Sequence, residues 1–377
     1  MGPLKVSLFV HHLSSNPIVR AYPFAKALQN MGYEVEILGL TYYSEEVYKP
    51  YRDQFEFKTI HSYDDIRWVI INGIKLSRLA TGDIVYVFKP LWGTFWPGLL
   101  YSFFGLRKRL ILDAEDNELW DCMIGNGLSS LRKNKYYPIN PIYNKIIHPL
   151  TWLVKRKTVV CSQLQRRYGG KIVLHGPDAV KFNPDNFDNQ NEIRLRYNIP
   201  IDVPILVFAG KPVYYNGLPT LIEILKMNLA EDWQLLLVGN PNELIFQNAK
   251  RELGDRCHLL GFIDNELMPE VIYMADVVPI LQSKIPSTNM QIPAKLLEAM
   301  AMAKAVLATD VSDLKSILRD DAGWIVDIND KLGIANLLNE LANDRAEMKR
   351  RGINARNFYL NNASINVIQN NLAEFQL

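Results

Sequence analysis

Short apolar runs recur along this chain, spaced so that one helix fits between each pair. They are Lys5–Val10, Glu34–Leu40, Ile84–Phe88, Leu110–Leu112 and Thr158–Cys161, then Pro204–Gly210, Gln234–Gly239, Cys257–Phe262, Ala275–Leu281 and Ala305–Thr309. Most lack the alternation of a half-exposed strand, so they read as strands buried on both faces, the mark of parallel sheets covered by helical crossovers. The segments between them agree. Ile18–Met31 places Val19, Tyr22, Ala25 and Leu28–Met31 at helical spacing, and Gly32 stops the helix before the next strand. Repeated β-loop-α units in two halves imply two doubly wound α/β domains facing each other across a cleft.

Length supports two cores, because 377 residues exceed what one ordinary core organises. The expected division is residues 1–182, 183–355 and a final segment 356–377 that crosses back to the first domain. The polar stretch Asn183–Asn198 is the expected linker. Cys122, Cys161 and Cys257 lie far apart without C-x-x-C spacing, which argues against a zinc site or a disulfide framework and for a reducing cytoplasm. MGPLKVSLFV runs straight into a strand without the layout of a signal peptide, and Val6 spoils a myristoylation pattern. Neither G-x-G-x-x-G nor G-x-x-x-x-G-K-[ST] occurs, so a dinucleotide fingerprint and a P-loop are both absent.

The stretch from Lys284 to Asp313 reads as a polar loop, a short helix opened by Pro293, and the buried strand Ala305–Thr309. Backbone N–H groups at such a helix start lack internal partners, and the dipole adds partial positive charge. An anion is therefore stabilised beside residues 291–295, which include Gln291, Ile292 and Lys295. Glu298 lies one turn further in, where a carboxylate can accept hydrogen bonds from a ribose diol. Together they suggest a nucleoside diphosphate. A solvated helix carboxylate is the alternative for Glu298.

In KLLEAMAMAKAVLATDVSD, preceded by LLGFIDNELMPEVIYMADVVPILQS, the chain resembles the retaining GT-B glycosyltransferases of family 4. The resemblance implies two Rossmann-like domains and transfer of a sugar from a nucleoside-diphosphate sugar with retention, with no metal. The family's pair of glutamates eight positions apart would fall at residues 290 and 298, and here Met290 replaces the first. Asn289, Pro293 and Lys295 instead fit a branch with N-x-x-x-P-x-K-L-x-E. The family's G-[RK]-x-x-x-x-K-G, which sets two cations on the diphosphate, is matched by Lys211, while Asn216 occupies the second position before Gly217. Lys295 could supply the second charge, and a solvated loop lysine is the other reading of Lys211. The nucleobase contact maps onto Gly261, Phe262 and Ile263. His175-Gly176-Pro177-Asp178 resembles the N-G-V-D signature closing the family's first domain.

The same resemblance puts the acceptor on the N-terminal domain. Ser14, Ser15 and Asn16 could donate to it, and His11 or His12 either touch it or are ordinary loop residues. Asp113-Ala114-Glu115-Asp116-Asn117-Glu118 follows a strand, and carboxylates so crowded need water, a cation or a hydroxylated ligand. Asp116 is the residue expected near the transferred sugar. Two alternatives stay open: a nucleotide-sugar epimerase on the same fold, and a nucleotide-sugar-binding protein without catalysis.

Charge is shared unevenly. Residues 1–180 carry 23 Lys or Arg against 15 Asp or Glu, and residues 181–377 carry 19 against 25. The first half therefore meets something anionic. No nucleic-acid motif accompanies the basic residues, which leaves a membrane surface and a glycan or lipid-linked acceptor, with the protein peripheral on the cytoplasmic face. Trp92–Leu106 is aromatic, uncharged and interrupted by Pro97, hence either a buried helix or a helix lying on a bilayer, not a spanning one.

Overall fold

The computed structural model describes residues 2–15, 17–104, 109–117 and 141–375. Asn16, Arg107, Lys108, Glu118 and Cys122 lie outside them. The chain divides into two compact units, Met1–His175 with Ile365–Leu377, and Gly176–Ser364.

In the first unit the strands are β1 (Lys5–Val10), β2 (Glu34–Thr41), β3 (Glu56–His61), β4 (Ile84–Phe88), β5 (Arg109–Ala114), β6 (Arg156–Val159) and β7 (Lys171–Ile172). Their order is β3-β2-β1-β4-β5-β6-β7, and every pairing is parallel. The chain builds outward from β1 to one side and then from β4 to the other. The β1–β4 junction is thus a topological switch point, where the loops at the strands' carboxyl ends diverge and leave a crevice. Successive side chains feed opposite layers. Leu8 and Tyr86 pack with Phe24, Ile368 and Leu372 of helices Ile18–Asn30 and Ile365–Ala373. Phe9, Val85 and Val87 pack with Val69, Leu76, Phe95 and Leu99 of helices Ile66–Leu79 and Phe95–Phe104.

Most of the aromatic run is therefore core. Phe95 is fully buried, and a Cβ on Gly98 would meet Val87 Cγ2 at 2.3 Å, so that helix lies as close to the sheet as glycine permits. Only its last two rings, Phe103 and Phe104, are largely exposed.

The second unit repeats the plan with β8 (Ile205–Ala209), β9 (Gln234–Val238), β10 (Cys257–Gly261), β11 (Val277–Ile280), β12 (Ala305–Thr309) and β13 (Gly323–Val326), in the parallel order β10-β9-β8-β11-β12-β13. Here the switch point lies between β8 and β11. Trp233, fully buried, donates its indole N–H to Leu338 O at 2.7 Å and anchors helix Lys331–Ala342 to this core.

The observed division corrects the expected one. Residues 183–198 are not a free linker: helix Gln190–Arg196 is tied to the second unit by buried Arg194, which donates to Met274 O at 2.7 Å and pairs with Asp276 at 2.8 Å. The boundary falls at His175/Gly176, where Gly176 N–H donates to Ala363 O and Tyr359 Oη–H donates to Pro177 O. Helix Arg345–Asn362 stays with the second unit because Gly352 sits directly on the Ala303 carbonyl. The return therefore begins at Ile365, and helix Ile365–Ala373 belongs to the first unit.

Candidate functional site

In the second unit the loops that leave β8 and β11 are laced together. Ser283 N–H donates to Tyr215 O at 2.8 Å, and Gln282 Nε2 reaches Asn216 Oδ1 at 3.4 Å. Gly217 adopts φ +72°, and a Cβ there would come within 1.9 Å of Leu281 O. Only glycine fits this crossing of two backbones. Asn216 Nδ2 donates to Lys211 O at 3.2 Å, so its amide closes the turn that presents Lys211. Asn216 is thereby tied into the turn through one amide N–H and its carbonyl oxygen, which leaves its second N–H as a donor. The Lys211 side chain is exposed, directly after Gly210 at φ +109°.

After β11 the chain folds into a tight loop around Thr288, fully buried, whose hydroxyl donates to Ser283 O at 2.6 Å and accepts from Ile285 N–H at 3.1 Å. Asn289 and Met290 lie in the 3-10 turn Thr288–Met290, and Asn289 Oδ1 accepts from Ser312 N–H at 3.4 Å. Gln291 is half-buried and extended, and Ile292 is buried. Pro293, extended, opens helix Ala294–Ala301, and no side chain caps that helix start. The anion-attracting end read from the sequence is therefore present in the backbone.

Lys295 and Glu298 sit one turn apart on this helix. The Lys295 ammonium lies over the Phe208 ring, 4.4 Å from its centroid, and burial lowers its pKa to about 8. Burial also raises the Glu298 carboxyl to about 7, with Lys295 and Lys181 pulling it back. No ion pair within 4 Å joins Glu298 to either lysine among the described residues. Glu298 is thus a half-buried acceptor held between two cations with its oxygens available. Lys181 escaped the sequence reading; only its position just past His175-Gly176-Pro177-Asp178 could have flagged it.

The turn after β10 supplies the remaining backbone. Gly261 has φ +70°, its carbonyl accepts from Gly239 N–H at 2.9 Å, the Phe262 ring is exposed and Ile263 is half-buried. All these residues lie at the carboxyl ends of β8, β10 and β11, around the switch point.

The first unit carries its own polar cluster at the carboxyl ends of β1, β4 and β5. Asp113 is buried and held by Arg20 Nε at 2.8 Å, Arg20 Nη2 at 2.7 Å and Thr158 Oγ1 at 2.5 Å. Arg20 also donates to His175 Nδ1 at 2.9 Å. Lys89, at φ +72°, sends its ammonium to Asp116 and to Glu115 at 3.2 Å. These contacts answer the crowding of carboxylates: Arg20 and Lys89 are the cations. Burial still raises Glu115 to about 7. His11 is half-buried with its Nδ1 atom buried and unpartnered, and desolvation, followed by the Lys89 charge, lowers its pKa to about 3, so the ring is neutral. His12 pairs with Ser14 at 3.0 Å, Ser14 donates to Tyr42 O at 2.8 Å, and Ser15 follows, half-buried, in the same turn. Arg20, Lys89, Glu115 and His175 were not singled out as site residues, since their partners are distant in sequence.

Comparison with known proteins supports the GT-B part of the resemblance. Residues 189–358 match the family described as glycosyl transferases group 1. A D-inositol 3-phosphate glycosyltransferase of Xylanimonas cellulosilytica is 28% identical over 213 residues, 52% of this chain and 49% of its own length. The chain thus spans about half the length of the curated relatives it matches. A glycosyltransferase structure from Rickettsia africae superposes with a TM-score of 0.74 at 16% identity, covering 100% of this chain and 98% of that one. An Anabaena structure in complex with UDP and glucose superposes at 0.72 and 13% identity, covering 99% of each. The fold is GT-B.

Proposed function

We propose that this chain, a GT-B protein carrying the group 1 glycosyl transferase match, takes a nucleoside-diphosphate sugar and transfers the sugar, with retention at the anomeric carbon, to a glycan or lipid-linked glycan acceptor. The observation that carries the reading is the convergence of Lys211, the uncapped start of helix Ala294–Ala301, Lys295 and Glu298 on one switch point. Negative charge develops on the departing diphosphate, so a fixed helix start and two lysines stabilise the transition state more than the ground state. Glu298 accepts from the ribose hydroxyls. The backbone of Gly261, Phe262 and Ile263 meets the base, and Asn289, Met290, Gln291 and Ile292 form the floor beside the phosphates. In the first unit, His11 and Ser15 are assigned to the acceptor side and Asp116 to the neighbourhood of the transferred sugar. The reading needs no metal, and the buried free thiols Cys161 and Cys257 suit a reducing cytoplasm.

The test is product analysis with a panel of nucleotide sugars and candidate acceptors. The expected result is a glycosylated acceptor of unchanged anomeric configuration together with the released nucleoside diphosphate. An altered sugar and free nucleotide formed without acceptor would mean an epimerase, and binding without turnover a silent binder. Inverted product would overturn retention.

A further inference from the structure

Exposed apolar side chains of the first unit are concentrated on one of its two helical layers. Among the described residues of this unit twelve large apolar side chains are exposed, and nine of them lie on helix Ile66–Leu79, helix Phe95–Phe104 and the segment Pro141–Leu153. Helices Ile18–Asn30 and Ile365–Ala373, which cover the opposite face of the same sheet, carry none. The three elements share one underlying cluster, which Val69, Leu76, Phe95, Leu99 and Ile147 build against the sheet, so their outer sides form one layer. Helix Ile66–Leu79 is apolar on both sides: Val69 and Leu76 face inward, while Trp68, Ile71 and Ile74 face solvent. Phe103 and Phe104 end the second helix at 75% and 84% exposure, and Trp152 follows in the third element at 72%.

Charge on this layer has one sign. None of the three elements contains an Asp or Glu. Lys75, Arg78, Lys145 and the adjoining Lys155 are exposed, and none of them is in an ion pair among the described residues. Arg67 is neutralised by Asp65. No helix among the described residues is long and apolar enough to cross a membrane.

We propose that this layer docks the protein on an anionic lipid bilayer. Aromatic and branched side chains enter the headgroup boundary while neighbouring lysine and arginine stems reach the lipid phosphates. A protein partner would be expected to meet some carboxylates on so wide a surface, and its own acidic groups would need matching one by one. A lipid surface needs only scattered cations and apolar anchors, which is the pattern present. The proposal does not depend on the donor site, since it concerns only the outer side of one layer.

Cosedimentation with phosphatidylglycerol–phosphatidylcholine vesicles and with pure phosphatidylcholine vesicles tests it, with nucleoside-diphosphate binding as a check that variants remain folded. Preferential binding to the anionic vesicles is expected. Lys75→Gln, Arg78→Gln, Lys145→Gln and Lys155→Gln combined should weaken it by several hundredfold, at about fivefold per cation. Trp68→Ser, Phe104→Ser and Trp152→Ser combined should leave binding that disappears at high salt. Failure to bind anionic vesicles, equal binding to both kinds, or binding that neither variant alters would overturn the proposal. So would a dimer in solution that the aromatic variant abolishes, because a second copy would then cover the layer.

Discussion

The ammonium of Lys295 and the ring of Phe208 are stacked, nitrogen over ring, 4.4 Å from the centroid. Phe208 is buried on β8, two residues before Gly210, so a rigid strand fixes where the cation sits. The ring's negative face compensates part of the lost hydration without consuming the charge. A carboxylate in that place would neutralise it. The ring leaves the charge unneutralised, as the proposed diphosphate contact requires.

Donor binding should therefore be bell-shaped in pH. Glu298, raised by burial to about 7, is a full acceptor only above that pH, and Lys295, lowered to about 8, is a cation only below it. Affinity should rise from pH 5.5 toward 7 and fall beyond 8. Calorimetric titration of a nucleoside diphosphate across this range reads both limbs, and Glu298→Gln should flatten the acid one. An affinity constant from pH 5.5 to 9.5 would remove both residues from the site.

Glu298→Ala should weaken nucleotide-sugar binding by roughly ten- to hundredfold, the loss of a charge-assisted hydrogen bond of about 1.5–3 kcal/mol. Lys211→Ala should lower turnover more than affinity for a bare nucleoside, because its charge acts where the diphosphate leaves. Unchanged donor affinity or an unchanged rate, respectively, contradicts each assignment.

Gly217→Ala should destabilise the second unit by about 2–4 kcal/mol, combining a strained positive φ with a forced shift of the Leu281 backbone. Gly32 is the control, since its φ is +87° but no atom lies within 4 Å of an added Cβ. Its alanine variant should cost only the strain, about 1–2 kcal/mol. Denaturant titration separates the two, and equal losses would show that the close approach to Leu281 is unimportant.

Arg20→Ala should cost about 3–5 kcal/mol, because it leaves the Asp113 carboxylate buried without its cation. Arg20→Ala with Asp113→Ala should recover part of that loss. Chemical unfolding of both single variants and the double one measures the coupling.

How much of this was legible in sequence depended on whether the signal was local. Buried strands such as Ile84–Phe88 and Ala305–Thr309 announce themselves by unbroken apolar runs, and both were placed correctly. β3, EFKTIH, was missed because its residues are polar and half-buried, as an edge strand allows. Glu298 could be singled out because helix, strand and loop follow one another without interruption. The Arg20–Asp113–His175 cluster could not, since 93 residues separate the first pair and 155 separate Arg20 from His175. The turn-closing bond of Asn216 was hidden for a subtler reason: an amide in a phosphate loop and an amide closing a turn look the same until their partners are known. The linker was misplaced because polar, Asn-rich sequence also suits a capped surface helix.

The final helix completes a unit begun more than three hundred residues earlier. Ile368 and Leu372 are fully buried against helix Ile18–Asn30, Arg156 Nε donates to Phe375 O at 3.2 Å, and Lys171 pairs with Glu374. During synthesis the first unit has all its described strands by residue 172 yet lacks one of the helices that cover its sheet until the ribosome has passed residue 373. At about 5–20 residues per second that delay lasts on the order of ten to forty seconds, with Leu8, Phe24 and Leu28 partly uncovered. The second unit, continuous in sequence, can close first. Vectorial synthesis thus finishes the two units in the reverse of their order along the chain.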